Sequence, residues 1–86
     1  MKVSIELTMS PLQDGYEPLI IEFIKTLRNS PFKVLENPLS TQIYGDYRPL
    51  MEFLTDAIET SFDNQEAVLV YMKLVKSDRS DYQPFF

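Results

Sequence analysis

Strict alternation of apolar and polar side chains marks the first segment of the chain. Over residues 2–9 every second side chain is apolar: Val3, Ile5, Leu7 and Met9. A period of two predicts a β-strand with one buried face. Residues 10–15 contain a proline and a glycine, which predict a turn after this strand.

A longer period replaces the alternation over residues 16–28. The apolar side chains there fall on one helical face: Leu19, Ile20, Phe23, Ile24 and Leu27. This pattern predicts an amphipathic helix. Glu17 and Pro18 suit the first turn of a helix, where an acid complements the helix dipole and a proline loses no hydrogen bond. Arg28 suits the last turn, and Pro31 lies just beyond the end of the helix.

Two short extended segments follow, at residues 32–36 and 39–44, with an Asn-Pro turn between them. So short a connection predicts an antiparallel hairpin. Side chains of the second segment alternate between two faces: Leu39, Thr41 and Ile43 on one, and Ser40, Gln42 and Tyr44 on the other.

A second helical stripe comes after Gly45 and Asp46, and consists of Leu50, Phe53, Leu54, Ala57 and Ile58. We expect Asp46 to be the N-cap and Gly45 to adopt a positive φ between strand and helix. A polar loop is predicted at residues 61–65. The β-branched and aromatic run at 67–75 predicts a central strand that is apolar on both faces.

The element order βαββαβ predicts an α+β domain over residues 1–76, followed by a C-terminal tail at 77–86. Right-handed crossovers fold this order into a ferredoxin-like, four-stranded antiparallel sheet with both helices on one face. On so small a domain the open sheet face is either exposed to solvent or covered by another subunit. The side chains expected on that face are Ser4, Glu6, Thr8, Ser40, Gln42 and Tyr44.

Composition limits the chemistry that this chain can perform. Its 86 residues include no cysteine and no histidine, which removes disulfides, thiolate metal sites and the commonest general base. With only two glycines there is no phosphate-binding glycine loop either. We therefore expect a binding protein rather than an enzyme, with no metal and no cofactor.

The formal net charge of −5 disfavours nucleic acids and anionic membranes, and favours a small cationic or neutral ligand. No export signal and no membrane-spanning run is visible, so a cytoplasmic location is expected. A chain this short buries only about 60–65% of its surface on folding. We therefore expect it to associate through its sheet, as a homodimer or homotetramer.

Glu6 and Gln42 are the candidate ligand contacts with the clearest chemistry. A carboxylate accepts from an amino group or attracts a cation, and an amide offers a donor and an acceptor to the edge of a planar heterocycle. Tyr44, Tyr47 and Tyr71 could stack on a ring. The alternative is that Glu6 and Gln42 are ordinary solvated side chains of a strand.

The segment 40–46, Ser-Thr-Gln-Ile-Tyr-Gly-Asp, resembles the YkoF-like family of thiamine and hydroxymethylpyrimidine-binding proteins, and residues 3–12 resemble that family's first strand. The resemblance implies a ferredoxin-like domain whose open sheet face pairs with that of another domain, here from a second copy, with the ligand near the pairing. Carried over by position, the implied contacts are Glu6, Ser40, Thr41 and Gln42. Tyr44 is the nearest residue for stacking.

Two functions remain open from the sequence. The first is non-catalytic binding of thiamine or its hydroxymethylpyrimidine moiety at a sheet-face site between subunits, with unphosphorylated thiamine preferred over its diphosphate because the chain is acidic. The second is a structural or regulatory assembly domain with no small-molecule ligand. A ligand site requires Glu6 and Gln42 to converge on a cavity, whereas an assembly domain would pair them with other side chains.

Overall fold

The computed structural model describes residues 1–86 and confirms the predicted order of elements. The strands and helices are β1 (Lys2–Pro11), α1 (Tyr16–Arg28), β2 (Lys33–Glu36), β3 (Thr41–Asp46), α2 (Tyr47–Asp63) and β4 (Val68–Val75). They form the ferredoxin-like α+β arrangement that the sequence predicts.

The sheet has the order β2-β3-β1-β4, and every neighbouring pair of strands is antiparallel. Ile5 in β1 lies opposite Ile43 in β3 and Leu74 in β4, which sets the register of the inner strands. The prediction of a central strand at 67–75 is wrong, because β4 pairs only with β1 and lies at one edge of the sheet. Its apolar composition therefore leaves exposed side chains.

A small core fills the space between the sheet and the two helices. The apolar side chains on one face of β1 and β3 pack against the apolar stripes of α1 and α2. The nine residues of this core are Val3, Ile5, Leu7, Phe23, Leu27, Ile43, Leu50, Leu54 and Ala57. The opposite face of the sheet carries no helix.

Several element boundaries differ from the predictions. β2 and β4 each begin one residue later than predicted, and β3 begins at Thr41 instead of residue 39. β1 continues to Pro11, because pairing with Val68 extends it beyond the residue at which the turn was expected. β3 reaches Asp46, where it pairs with Lys2. α2 continues to Asp63, since no proline or glycine interrupts it, and so includes part of the predicted loop.

The expectation of a positive φ at Gly45 is also wrong. Gly15, before α1, is the residue with φ +70°. At Gly45 the constraint is space, because an added Cβ would lie 2.6 Å from Cδ1 of Phe32. Asp46 does occupy the N-cap position of α2, but its carboxylate makes no capping bond and lies 3.4 Å from Nζ of Lys2.

Neither α1 nor α2 has the length and apolar character needed to cross a membrane.

Candidate functional site

A groove of ≈ 380 Å³ lies on the sheet face opposite the helices. Strands β1, β3 and β4 and the C-terminal tail all contribute to it. Its lining residues are Ser4, Ile5, Glu6, Gln42, Tyr44, Lys73, Val75, Arg79 and Tyr82. The groove is thus formed jointly by the sheet and by the segment that follows it.

Strand register explains why these side chains meet. Glu6 lies directly between Gln42 of β3 and Lys73 of β4. Directly opposite side chains in an antiparallel pair have Cβ atoms about 4.5–5.5 Å apart and point to the same face. A carboxylate, an amide and an ammonium group are thereby placed in one row across the sheet.

The Glu6 carboxylate has two neighbours within the chain. Its Oε2 accepts a hydrogen bond from Oγ of Ser40 at 3.0 Å, and its Oε1 lies 3.7 Å from Nζ of Lys73. Glu6 and Lys73 thus form an ion pair, but their separation is too long for a hydrogen bond. Since the side chain is 39% exposed, Oε1 remains able to accept a hydrogen bond from a ligand.

The Gln42 amide is oriented by Tyr44. The Tyr44 hydroxyl donates to Oε1 of Gln42 at 2.8 Å, while Nε2 of Gln42 has no hydrogen-bond partner within the chain. Burial raises the pKa of the Tyr44 phenol, so that group stays protonated and remains a donor at neutral pH. The arrangement leaves a free amide donor at the groove, beside Oε1 of Glu6, which makes no hydrogen bond within the chain.

Ser4 holds the C-terminal tail against the sheet. Its buried hydroxyl donates to the carbonyl of Ser77 at 2.8 Å and accepts from the backbone N–H of Arg79, also at 2.8 Å. Nζ of Lys33 lies 3.4 Å from Oδ1 of Asp81 further along. These contacts position the tail so that Arg79 and Tyr82 line the groove.

The structure brings three of the five sequence-predicted contacts, Glu6, Gln42 and Tyr44, into this groove. Ser40 acts on it through its hydrogen bond to Glu6. Thr41 lies on the helix-facing side, opposite Leu7 in the register, and lines a separate recess. The geometry therefore gives Thr41 no contact with a ligand in the groove.

Neither of the other two candidate tyrosines lines the groove. Tyr47 is the first residue of α2, and Tyr71 lies on β4 opposite Thr8 with 61% of its surface exposed. Tyr82 lines the groove in their place, from the tail.

Six of the nine groove residues were not among the predicted contacts, and three of these six, Lys73, Arg79 and Tyr82, bring a cation or an aromatic ring to the groove. The sequence does distinguish Lys73, because it is the single charged residue in the apolar run of β4. Its position beside Glu6 nevertheless depends on the strand register. Arg79 and Tyr82 belong to a tail without periodicity, so no local pattern places them.

Neither a protein-family model nor a curated protein matches the sequence. Solved structures do match. A Streptococcus pneumoniae protein is 25% identical with a TM-score of 0.83, over 94% of this chain and 92% of that one. A Thermotoga maritima protein assigned provisionally to thiamine biosynthesis or salvage is 15% identical with a TM-score of 0.80, over 90% of this chain and 85% of that one.

A domain of unknown function from Bacillus cereus is also similar, at 18% identity and a TM-score of 0.70, over 99% of this chain and 79% of that one. The ferredoxin-like fold of this chain therefore occurs in bacterial proteins of similar length. Among them is one with a provisional role in thiamine metabolism.

Proposed function

We propose that this protein binds thiamine or its hydroxymethylpyrimidine moiety in the sheet-face groove, between subunits of a homo-oligomer, without catalysing a reaction. The observation that carries the proposal is the placement, on directly opposite residues, of an acceptor that makes no hydrogen bond, Oε1 of Glu6, and a free donor, Nε2 of Gln42. The likeness to the Thermotoga maritima protein and the YkoF-like sequence at 40–46 support the same ligand class.

The edge of an aminopyrimidine complements this pair. Its exocyclic amine donates, and would meet the Glu6 carboxylate. The adjacent ring nitrogen accepts, and would meet the Gln42 amide. A hydrogen bond to a charged group contributes about 1.5–3 kcal/mol. The rings of Tyr44 and Tyr82 line the same groove and offer faces for stacking or for the thiazolium cation.

The assembly-domain alternative has an observation in its favour. Glu6 already interacts with Ser40 and Lys73 of its own chain, as a residue with a purely structural role would. Exposed apolar side chains on β4, among them Leu69 and Leu74, also suit subunit contacts. Under this alternative the groove would be closed by another subunit and would bind no ligand.

Calorimetric titration with thiamine and with hydroxymethylpyrimidine tests the proposal. We expect the wild type to bind at least one of them and Glu6→Ala to bind about tenfold more weakly or worse, because the amine loses its charged acceptor. Glu52→Ala is the matched control, since Glu52 is an exposed carboxylate on α2, on the other side of the sheet. It should bind like the wild type.

Circular dichroism of each variant separates a lost contact from a lost fold. Two results would contradict the ligand proposal: no heat from either compound at millimolar concentration, or unchanged affinity in a folded Glu6→Ala protein. Either result would leave the assembly domain as the better account.

A further inference from the structure

The charge of the groove differs in sign from the charge of the whole chain. The chain carries −5, but the ionised side chains that line the groove are the carboxylate of Glu6 and the cations of Lys73 and Arg79. At physiological ionic strength, charges farther away than about 8 Å are largely screened. Lys33 and Asp78, which act on Tyr44 from outside the lining, carry opposite charges, so these nearby charges still sum to a positive excess.

Arg79 has unused hydrogen-bonding capacity. Its backbone is anchored on Ser4, and its Nε donates to Oγ of Ser77 at 2.7 Å. No carboxylate forms an ion pair with its guanidinium group. Both terminal nitrogens are thus available to an anion, and a guanidinium group binds phosphate or carboxylate oxygens in a bidentate manner.

Lys73 supplies a second cation beside the first. Its ammonium group lies 3.7 Å from Oε1 of Glu6, and its side chain is 74% exposed. A long, exposed lysine can move between that carboxylate and an incoming anion at little cost. When it moves, Oε1 of Glu6 becomes fully available to the amine of a ligand.

We propose that the ligand of this groove, if the function proposed above holds, is an aromatic amine that also carries an anionic group, in particular a phosphate ester. Glu6 and Gln42 hold the heterocycle, while Arg79 and Lys73 bind the anionic group. The cavity of ≈ 380 Å³ is within the size range of small-molecule sites. Phosphorylated compounds are then preferred, the reverse of what the net charge of the chain suggests.

The test compares pairs of ligands that differ only in the phosphate: hydroxymethylpyrimidine with its phosphate ester, and thiamine with thiamine phosphate. Titrations of the wild type at fixed ionic strength should give at least about tenfold tighter binding of the phosphate ester in one pair. Raising the salt concentration should reduce this preference, since it rests on charge.

Variants then assign the preference to its residues. Arg79→Met should remove most of the preference for the phosphate ester, and Lys73→Met should reduce it. Arg79→Lys should keep part of the preference for the phosphate ester, because a lysine retains the positive charge but lacks the planar guanidinium group that binds in a bidentate manner. Arg48→Met is the matched control, since Arg48 is an exposed, unpaired arginine on α2, outside the groove. It should keep the full preference.

The outcomes separate this inference from the proposed function. If the unphosphorylated compounds bind at least as tightly as their phosphates, the inference is wrong and the proposed function stands. If none of the four compounds binds, both are wrong. If the phosphates bind more tightly but Arg79→Met retains the preference, the assignment of the anion site to Arg79 is wrong.

Discussion

Gly45 lies in β3 where the aromatic ring of Phe32 covers the backbone. The missing Cβ leaves room for that ring, which in turn packs against Phe53 with the ring centroids 5.6 Å apart. Gly15 differs on both counts: its φ is +70°, and beyond its chain neighbours no atom lies within 4 Å of an added Cβ. One glycine is thus required by a neighbouring side chain and the other by its own backbone.

We expect Gly45→Ala to destabilise the protein by about 1–3 kcal/mol through this clash. For a domain of this size that lowers Tm by several degrees. In a Phe32→Leu background the cost should fall, because the ring is gone, whereas the cost of Gly15→Ala should be the same in both backgrounds. Thermal melts of the double-mutant cycle measure this. Equal costs of Gly45→Ala in the two backgrounds would contradict the assignment to Phe32.

At the scale of elements, an ion pair joins the end of α1 to β2. Nε of Arg28 donates to Oε2 of Glu36 at 2.8 Å, and Nη2 donates to Oε1 at 2.7 Å. The hydrogen bond from Arg28 lowers the pKa of the Glu36 carboxyl. This bidentate contact connects the last residue of α1 to the last residue of β2.

A lowered folded-state pKa makes the contribution of Glu36 depend on pH. The stabilisation is present above the unfolded pKa of about 4.3 and is lost as pH falls through the folded value. Glu36→Gln should therefore lower Tm by at most a few degrees at pH 7, because the pair is exposed. The difference should vanish in strong acid. A difference in Tm between Glu36→Gln and the wild type that stays constant with pH would refute the linkage.

At the scale of the whole molecule, the core is small and one sheet edge is apolar. Nine residues form the core, while β4 leaves Leu69 46% and Leu74 45% exposed at the edge of the sheet. An exposed, hydrophobic edge strand favours pairing with another chain. The tail crosses the open face from β4 past Ser4 of β1 to Lys33 of β2.

We expect a dimer, or a dimer of dimers, in light scattering at micromolar concentration. Leu69→Lys should shift the mass toward the monomer, since Leu69 lies opposite Ser10 on the open face of the sheet and the substitution places a charge where apolar surface would be buried. Leu12→Lys, an exposed leucine outside the strands, should leave the mass unchanged. A wild-type protein with the mass of a monomer would overturn the expectation, and with it the placement of the site between subunits.

The sequence by itself determined the elements and the two faces of the inner strands, because periods of two and of 3.6 residues are local properties. That is why the alternation alone predicts Glu6, Gln42 and Tyr44 on one face of the sheet, and Thr41 on the other. The edge position of β4 could not be predicted in this way, since a central strand and an edge strand that pairs with another chain can have the same apolar sequence pattern.

Only the tertiary structure decided which side chains of that face meet. The pairing of Glu6 with Lys73, the docking of Arg79 on Ser4 and the approach of Phe32 to Gly45 each join residues far apart in sequence. Such contacts depend on strand register and on the path of a tail without periodicity, which no local pattern contains. The positive side of the groove consists of residues placed by these long-range contacts, and for that reason the charge of the whole chain did not predict the charge of the site.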